Sequence, residues 1–324
     1  MGTIFPYLAA PTHPARAAGR GRIVRMTGST VVCAGLTTLD VAHLVDGVPP
    51  ANRKVASHDF FVAAGGPATN AAVAAARLGG SARLVTALPS HPLSDLVAAD
   101  LAGCGVDLVV ADASPTGPPL TAAIMVTRAT GERAVVSPTG AAVTVPGTPA
   151  GLDPAALLDD AGAVLIDGYH RHLSLPLAHA ARERGIPVVL DAGSHKQYTA
   201  ALLAVTDVAV VSDDFAFPEA GSDPYATLAR LLELGARAAV ISRGGDPLLV
   251  TTGGPVREVP VAPVDVVDTL GAGDVLHGAL AHRLASRGYD AARLPEDLAW
   301  ASRVVAVSLR SFGTRAWLAE PLPS

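Results

Sequence analysis

The chain is 324 residues long, half of them apolar, with a formal charge of −5. That length can bury one large core or two modest ones, and the lack of any basic stripe or block of like charge speaks against nucleic acid as a partner. No run reaches the uninterrupted apolar length of a membrane span, and two cysteines, Cys33 and Cys104, without Cys or His at metal spacing argue against a disulfide framework or zinc site and fit a reducing cytoplasm.

Residues 1–27 carry four arginines, three prolines and no acidic residue. Nothing in them is periodic. They read as a disordered leader, closer to a transit peptide than to a secretory signal, or as the result of a start codon set upstream of Met26. Val31 to Gly35 predicts the first buried strand. It continues into Gly35-Leu36-Thr37-Thr38-Leu39-Asp40, which sets a carboxylate just past a strand's carboxyl end, where open α/β sheets bind ligands. Asp40 can accept hydrogen bonds from two adjacent hydroxyls, or simply cap a turn.

Residues 41–64 alternate loosely and are broken by Pro49 and Pro50, which suggests short strands outside the main sheet. Gly65-Gly66 leads into a helix from Pro67 to Leu78 that stops at Gly79-Gly80. Asn70, early in that helix, offers both a donor and an acceptor to a hydroxylated ligand. A strand over Ala82 to Ala87 and a helix over Ser94 to Ala102 follow, joined by Pro89-Ser90-His91-Pro92. Segments 120–126 and 133–137 flank Thr130-Gly131, a hairpin signal.

After Gly140 strands and helices alternate. Strands are expected at 163–167, 187–191, 208–212, 238–242, 248–251 and 256–261, and helices at 176–184, 196–204, 225–234 and 296–310. This alternation predicts an α/β fold with a mainly parallel sheet covered on both faces. Asp167-Gly168-Tyr169-His170-Arg171-His172 follows a strand end, and Asp167 or His170 is a candidate ligand contact. His170 and His172 have no partner Cys or carboxylate at ligand spacing, which weighs against a metal site, so the metal ligands stay unassigned.

The densest stretch is Val264 to Leu280. Val264 to Val267 is β-branched and predicts a strand. From Ala272 onward the apolar residues fall at helical spacing. Gly271-Ala272-Gly273-Asp274 joins the two. Glycines let the backbone approach a ligand closely, and the first helical amides lack internal partners at the positive end of the helix dipole. That is an anion site built from main chain. Asp274 beside it would repel a phosphate directly, yet one atom further out it can take a proton from an attacking hydroxyl.

Asp268-Thr269-Leu270-Gly271-Ala272-Gly273-Asp274 resembles the D-T-x-G-A-G-D signature of ribokinase-like (PfkB-type) sugar kinases, and Gly65-Gly66-Pro67-Ala68-Thr69-Asn70-Ala71-Ala72 resembles the family's G-G-x-x-x-N-x-A. The resemblance implies an ATP-dependent kinase domain over 28–324, with Mg²⁺ and a monovalent cation such as K⁺ as cofactors. It implies a small β lid from about 41–64 and 120–137, which must exclude water during transfer, and whose edges suit a homodimer. Asp274 would be the general base, and the amides of Gly271, Ala272 and Gly273 an anion hole. Asp40, Gly65, Gly66 and Asn70 would line the sugar site. Asp268 would shape the loop and help bind the cation. Ser242-Arg243-Gly244-Gly245 resembles the Thr-x-Gly nucleotide contact, so Ser242 and Gly244 would meet the nucleotide, with Arg243 near phosphate.

Two departures stand out. The family's Gly-Asp pair is missing from the 89–92 loop. Its Asn-x-x-Glu reads Ser212-Asp213-Asp214-Phe215 here, which shifts the magnesium role to Asp213, Asp214 or water and leaves Ser212 as a nucleotide contact. Some stretches look like ketohexokinases and others like bacterial sulfofructose kinases. Lys54 sits where the latter place a sulfonate contact, but Ser137 and Tyr169 replace its expected partners. A neutral ketohexose or related sugar is therefore the expected substrate, with sulfofructose and ribose behind it. A catalytically impaired sugar-binding protein is the reading from another class. A dinucleotide-binding oxidoreductase fits poorly, because Leu276 stands where the sixth position of G-x-G-x-x-G needs glycine.

Overall fold

The computed structural model describes residues 30–138, 149, 151–218, 221 and 223–323; the expected leader lies outside them. The elements in chain order are β1 (Thr30–Ala34), β2 (Thr38–Val45), β3 (Asp59–Gly65), α1 (Pro67–Arg77), β4 (Ser81–Ala87), α2 (Pro92–Gly103), β5 (Val106–Asp112), β6 (Thr121–Thr127) and β7 (Arg133–Val136). They continue with α3 (Pro154–Leu157), β8 (Ala161–Ile166), α4 (Arg171–Glu183), β9 (Val188–Ala192), α5 (Thr199–Leu203), β10 (Val208–Ser212) and α6 (Pro224–Glu233). The last are β11 (Ala238–Arg243), β12 (Asp246–Thr251), β13 (Arg257–Val259), α7 (Ala272–Arg287) and α8 (Leu294–Ser308).

Among the described residues, nine strands form one sheet in the order β13-β12-β11-β10-β9-β8-β1-β4-β5. Neighbours from β11 to β5 run parallel, while β12 and β13 are antiparallel hairpin strands. Successive side chains point to opposite faces of a strand, and both faces here are core. Val31, Cys33, Leu165 and Val210 pack with α1, α7 and α8 on one side. Val32, Ala34, Ile166 and Val211 pack with α4, α5 and α6 on the other. This double burial explains the near-continuous apolar strands in the sequence.

A second sheet has the order β3-β2-β6-β7, with β2 parallel to β6 and the hairpin turning at Thr130-Gly131 as expected. Ala42, Ala122, Ile124 and Val126 of this sheet, with Phe61 of β3, pack on Leu270 and Phe312, so the sheet rests on the turn that leads into α7.

Several expectations are corrected. Val264 to Val267 forms no strand. Val267 N–H donates to Leu309 O at 2.8 Å, so the segment follows the end of α8 instead of a sheet edge, with Val266 and Val267 exposed. Strand β5 was not expected; it is the outer strand, and its mixed burial blurs the alternation that identifies a strand. Helix α4 starts five residues before Pro176, because Leu173 and Ser174 N–H both donate to His170 O and so form the turn ahead of the proline.

Candidate active site

The parallel strands deliver their carboxyl ends to one edge of the sheet, and the candidate residues gather there. Helix α7 begins at that edge. Gly271 precedes it at φ 75°, a left-handed conformation that a side chain resists, and this lets the chain turn sharply into the helix. Asp274 lies in the first turn. Of the amides expected to form the anion hole, Ala272 N–H already donates to Thr269 O at 3.3 Å, while Gly273 lies in the exposed first turn.

Asn70 and Asp274 meet directly, although 204 residues separate them. Asn70 Nδ2 donates to Asp274 Oδ2 at 2.8 Å. The approach of α1 to α7 makes this possible. Gly278, one turn after Asp274, lies so close to α1 that a Cβ there would stand 2.3 Å from Ala71 O and 2.9 Å from Ala74 Cβ. Small residues on both helices let the backbones touch and carry Asn70 to the base.

Arg315 then decides which way Asn70 faces. Its Nη1 donates to Asn70 Oδ1 at 3.2 Å, leaving the Asn70 amide nitrogen toward Asp274. Arg315 is itself held by Asp100 Oδ2 at 2.9 Å and by Ala64 O at 2.7 Å. Sequence reasoning did not find Arg315, since nothing local marks an arginine beyond the last long helix.

Asp40 joins the same cluster. Thr38 Oγ1 donates to its Oδ1 at 2.6 Å. Burial raises the Asp40 carboxyl to about 6, the Thr38 bond and Arg315 lower it, and nearby Asp274 raises it further. Gly65 is required beside it, because a Cβ there would stand 2.0 Å from Asp40 Oδ2. Gly66, at φ 98°, precedes α1, and its Cβ would stand 2.4 Å from Leu36 O.

Asp167 is placed differently from a free ligand contact. It is 1% exposed, and its carboxylate accepts from Leu36 N–H at 2.7 Å, Tyr169 N–H at 2.9 Å and Ala68 N–H at 3.1 Å. It ties the ends of β1, β8 and α1 together. Burial raises it to about 6, with the three amides pulling it down. Asp268 also serves its loop: Leu270 N–H donates to Oδ1 and Gly313 N–H to Oδ2, each at 2.8 Å. The groups facing it are N–H donors.

Ser212, Ser242 and Gly244 lie at the ends of β10 and β11, on the same edge as the catalytic turn. Arg243 is directed elsewhere: Nη2 donates to Pro247 O at 2.6 Å and pairs with Glu258 at 3.3 Å. Phe215 is buried against Phe217 and His195, an aromatic cluster that belongs to the core, while Asp213 and Asp214 are exposed at the end of β10. Lys54 lies in the exposed segment between β2 and β3, away from the Asp40–Asn70–Asp274 cluster in sequence and element. His172 pairs with Asp112 at 3.1 Å, and His170 is buried with burial lowering it to about 4. Among the described residues no group of three or more His, Cys, Asp or Glu is placed to hold a metal ion.

Two further residues of this edge escaped the sequence reading. Asp191 ends β9, and the strand-end argument applied to Asp40 would have found it. Lys196, half-buried, sets Nζ 4.4 Å from the centre of the Tyr169 ring, and burial lowers its ammonium.

The profile of the pfkB family carbohydrate kinases matches residues 29–320. A mouse ribokinase is 26% identical over 299 residues, covering 89% of this chain and 91% of the relative. The structure of Arabidopsis thaliana ribokinase complexed with ribose and ATP superposes with a TM-score of 0.70 at 21% identity, covering 89% of this chain and 94% of that one. A fructokinase with bound ATP from Xylella fastidiosa gives 0.71 at 23%, covering 91% and 96%. The fold is thus ribokinase-like, and with the profile spanning nearly every described residue, the chain belongs to the pfkB family of carbohydrate kinases.

Proposed function

We propose that this kinase transfers the γ-phosphoryl group of ATP to a hydroxyl of a neutral ketohexose or related small sugar, with Asp274 as general base. The observation that carries the reading is the 2.8 Å bond between Asn70 and Asp274, with Asp40 electrostatically coupled to the same aspartate. A carboxylate that can accept from hydroxyls, an amide that can donate and accept, and a second carboxylate suited to act as base thus form one cluster.

In this scheme Asp40 and Asn70 hold the sugar's hydroxyls. Asp274 accepts the proton of the attacking oxygen as it approaches phosphorus in line. The amides of Gly271 and Gly273 and the positive end of α7 hold charge that develops on the phosphoryl oxygens, while the Ala272 amide is turned to Thr269 O. The exposed Asp213 and Asp214 would offer oxygen donors to a magnesium ion carried by the nucleotide, which would neutralise charge on its phosphates. Asp268 acts as a loop tie through Leu270 and Gly313. Ser212, Ser242 and Gly244 face the nucleotide. The small sheet closes over the cleft and keeps water from the γ-phosphate. Its exposed Phe60, Val62, Val135 and Val136 suit a second copy of the chain. No described helix is long and apolar enough to cross a membrane, and both cysteines are free, in keeping with a cytoplasmic enzyme.

The test is ADP release with fructose, other ketohexoses, ribose and sulfofructose at fixed ATP. Sugar-dependent release, strongest with a neutral ketohexose, is expected. Strongest release with sulfofructose would move the substrate to the sulfonated sugar and give Lys54 a role. Sugar binding without release would make the chain a sensor.

A further inference from the structure

His277 lies on α7, one turn beyond the catalytic turn, and is 5% exposed. Its Nδ1 is 2.6 Å from Gly273 O, and its Nε2 is 3.2 Å from Val210 O. Both partners are carbonyl oxygens, which only accept. A neutral imidazole carries one N–H and one lone pair, so either tautomer would set a lone pair against a carbonyl oxygen. A proton on each nitrogen satisfies both contacts. The counter-charge is present: Asp191 Oδ2 is 3.3 Å from Nδ1, at the end of buried strand β9.

The surroundings favour a cation there. The charged groups that face the pair are Asp274 from α7, Asp167 from the end of β8, and Lys196 from the loop after β9. Three carboxylates thus meet one ammonium. Burial pushes the Asp191 carboxyl up, with Asp274 and Asp167 adding to the rise, while His277 and Lys196 hold it down. We take the ring as the proton holder, since only that assignment satisfies both of its nitrogens.

The contact with Gly273 O has a geometric consequence. That carbonyl and the Asp274 N–H belong to one planar peptide and point in opposite directions. Holding the oxygen along the helix therefore holds the N–H out of the N-terminal end of α7. Gly273 lies in the exposed first turn of α7, where helix ends fray most readily, and the ring adds a second, side-chain donor to a carbonyl that the helix alone would hold less firmly.

We propose that His277 is a positively charged positioning residue: paired with Asp191, it clamps the Gly273–Asp274 peptide so that its amide faces the transferred phosphoryl group. This rests on the kinase reading, but its first test does not. In a long-range ¹H–¹⁵N spectrum of the ¹⁵N-histidine-labelled enzyme at neutral pH, both His277 nitrogens should show protonated shifts, identified by their loss in His277→Asn. A ring with one unprotonated nitrogen would overturn the charge assignment, whatever the enzyme phosphorylates. The second test is kinetic. His277→Asn and Asp191→Asn should each lower kcat about tenfold or more, as loss of an oriented oxyanion donor does, with KM for sugar little changed. A folded His277→Asn enzyme with wild-type kcat would overturn the positioning role. Should that variant not fold, Asp191→Asn and the spectrum of the wild type decide the matter, and wild-type kcat in a folded Asp191→Asn enzyme would likewise overturn the pairing.

Discussion

Gly278→Ala probes the contact that assembles the site. In an ordinary helix interior this change stabilises by roughly 0.5–1 kcal/mol, because glycine loses the most freedom on folding. Here the new Cβ would stand 2.3 Å from Ala71 O, 2.9 Å from Ala71 Cα and 2.9 Å from Ala74 Cβ. Comfortable carbon contacts need about 3.5 Å or more, so α1 and α7 must separate by roughly 1 Å. Backbone atoms form two of the three contacts, and no flexible side chain can yield. Overpacking of this kind costs about 1–3 kcal/mol, enough to reverse the sign of the helix-propensity gain. Asn70 neighbours Ala71, so the same separation stretches its bond to Asp274, and a shift near 1 Å in a reacting group can cost on the order of 100-fold in rate. Thermal unfolding and steady-state kinetics read both effects. Gly103→Ala is the control, since a Cβ there meets nothing within 4 Å. A Gly278→Ala enzyme as stable and as fast as wild type would refute the reasoning.

Asp274→Asn should lower kcat by about 10²–10⁴-fold while leaving ATP affinity, measured calorimetrically, mostly intact; a mutant that keeps a tenth of the rate has not lost its base. Arg315→Met should lower kcat/KM for sugar by roughly tenfold, about 1.4 kcal/mol. Because Arg315 acts through Asn70, that loss should largely vanish in an Asn70→Ala background, and full additivity would count against the relay. Asp40 gives a pH signature. Its folded carboxyl is raised to about 6, above its unfolded value, so the folded state binds the extra proton. Its contribution to stability is present below about pH 4 and is lost as pH rises through about 6. Urea unfolding of Asp40→Asn should therefore match wild type near pH 4 and exceed it at pH 7. The opposite trend would mean that the carboxylate is stabilised in place.

Much of the fold was legible because its rules are local. Strands buried on both faces read as apolar runs, and helices read by period, whichever partners they later find. The glycine turn into α7 was legible for a related reason: a left-handed Gly271 opening a helix needs no distant residue. The errors fall where neighbours decide. Val264 to Val267 has a strand's composition but lies along the end of α8. Asp167 has a ligand's position but is enclosed by three amides. Arg243 precedes a glycine turn yet donates to Pro247 O and pairs with Glu258.

The sequence by itself determined the family and pointed to the glycine turn and the aspartate on which the proposed function rests, since these depend on backbone freedom and residue type over a few adjacent positions. The tertiary structure alone decided what surrounds that base. Asn70, Gly278 and Arg315 come from three separate stretches, and their value lies in one contact, one close approach and one amide orientation. No spacing along the chain encodes those distances; they exist only once α1 and α7 pack over the shared edge of the sheet and the C-terminal segment returns to lock them.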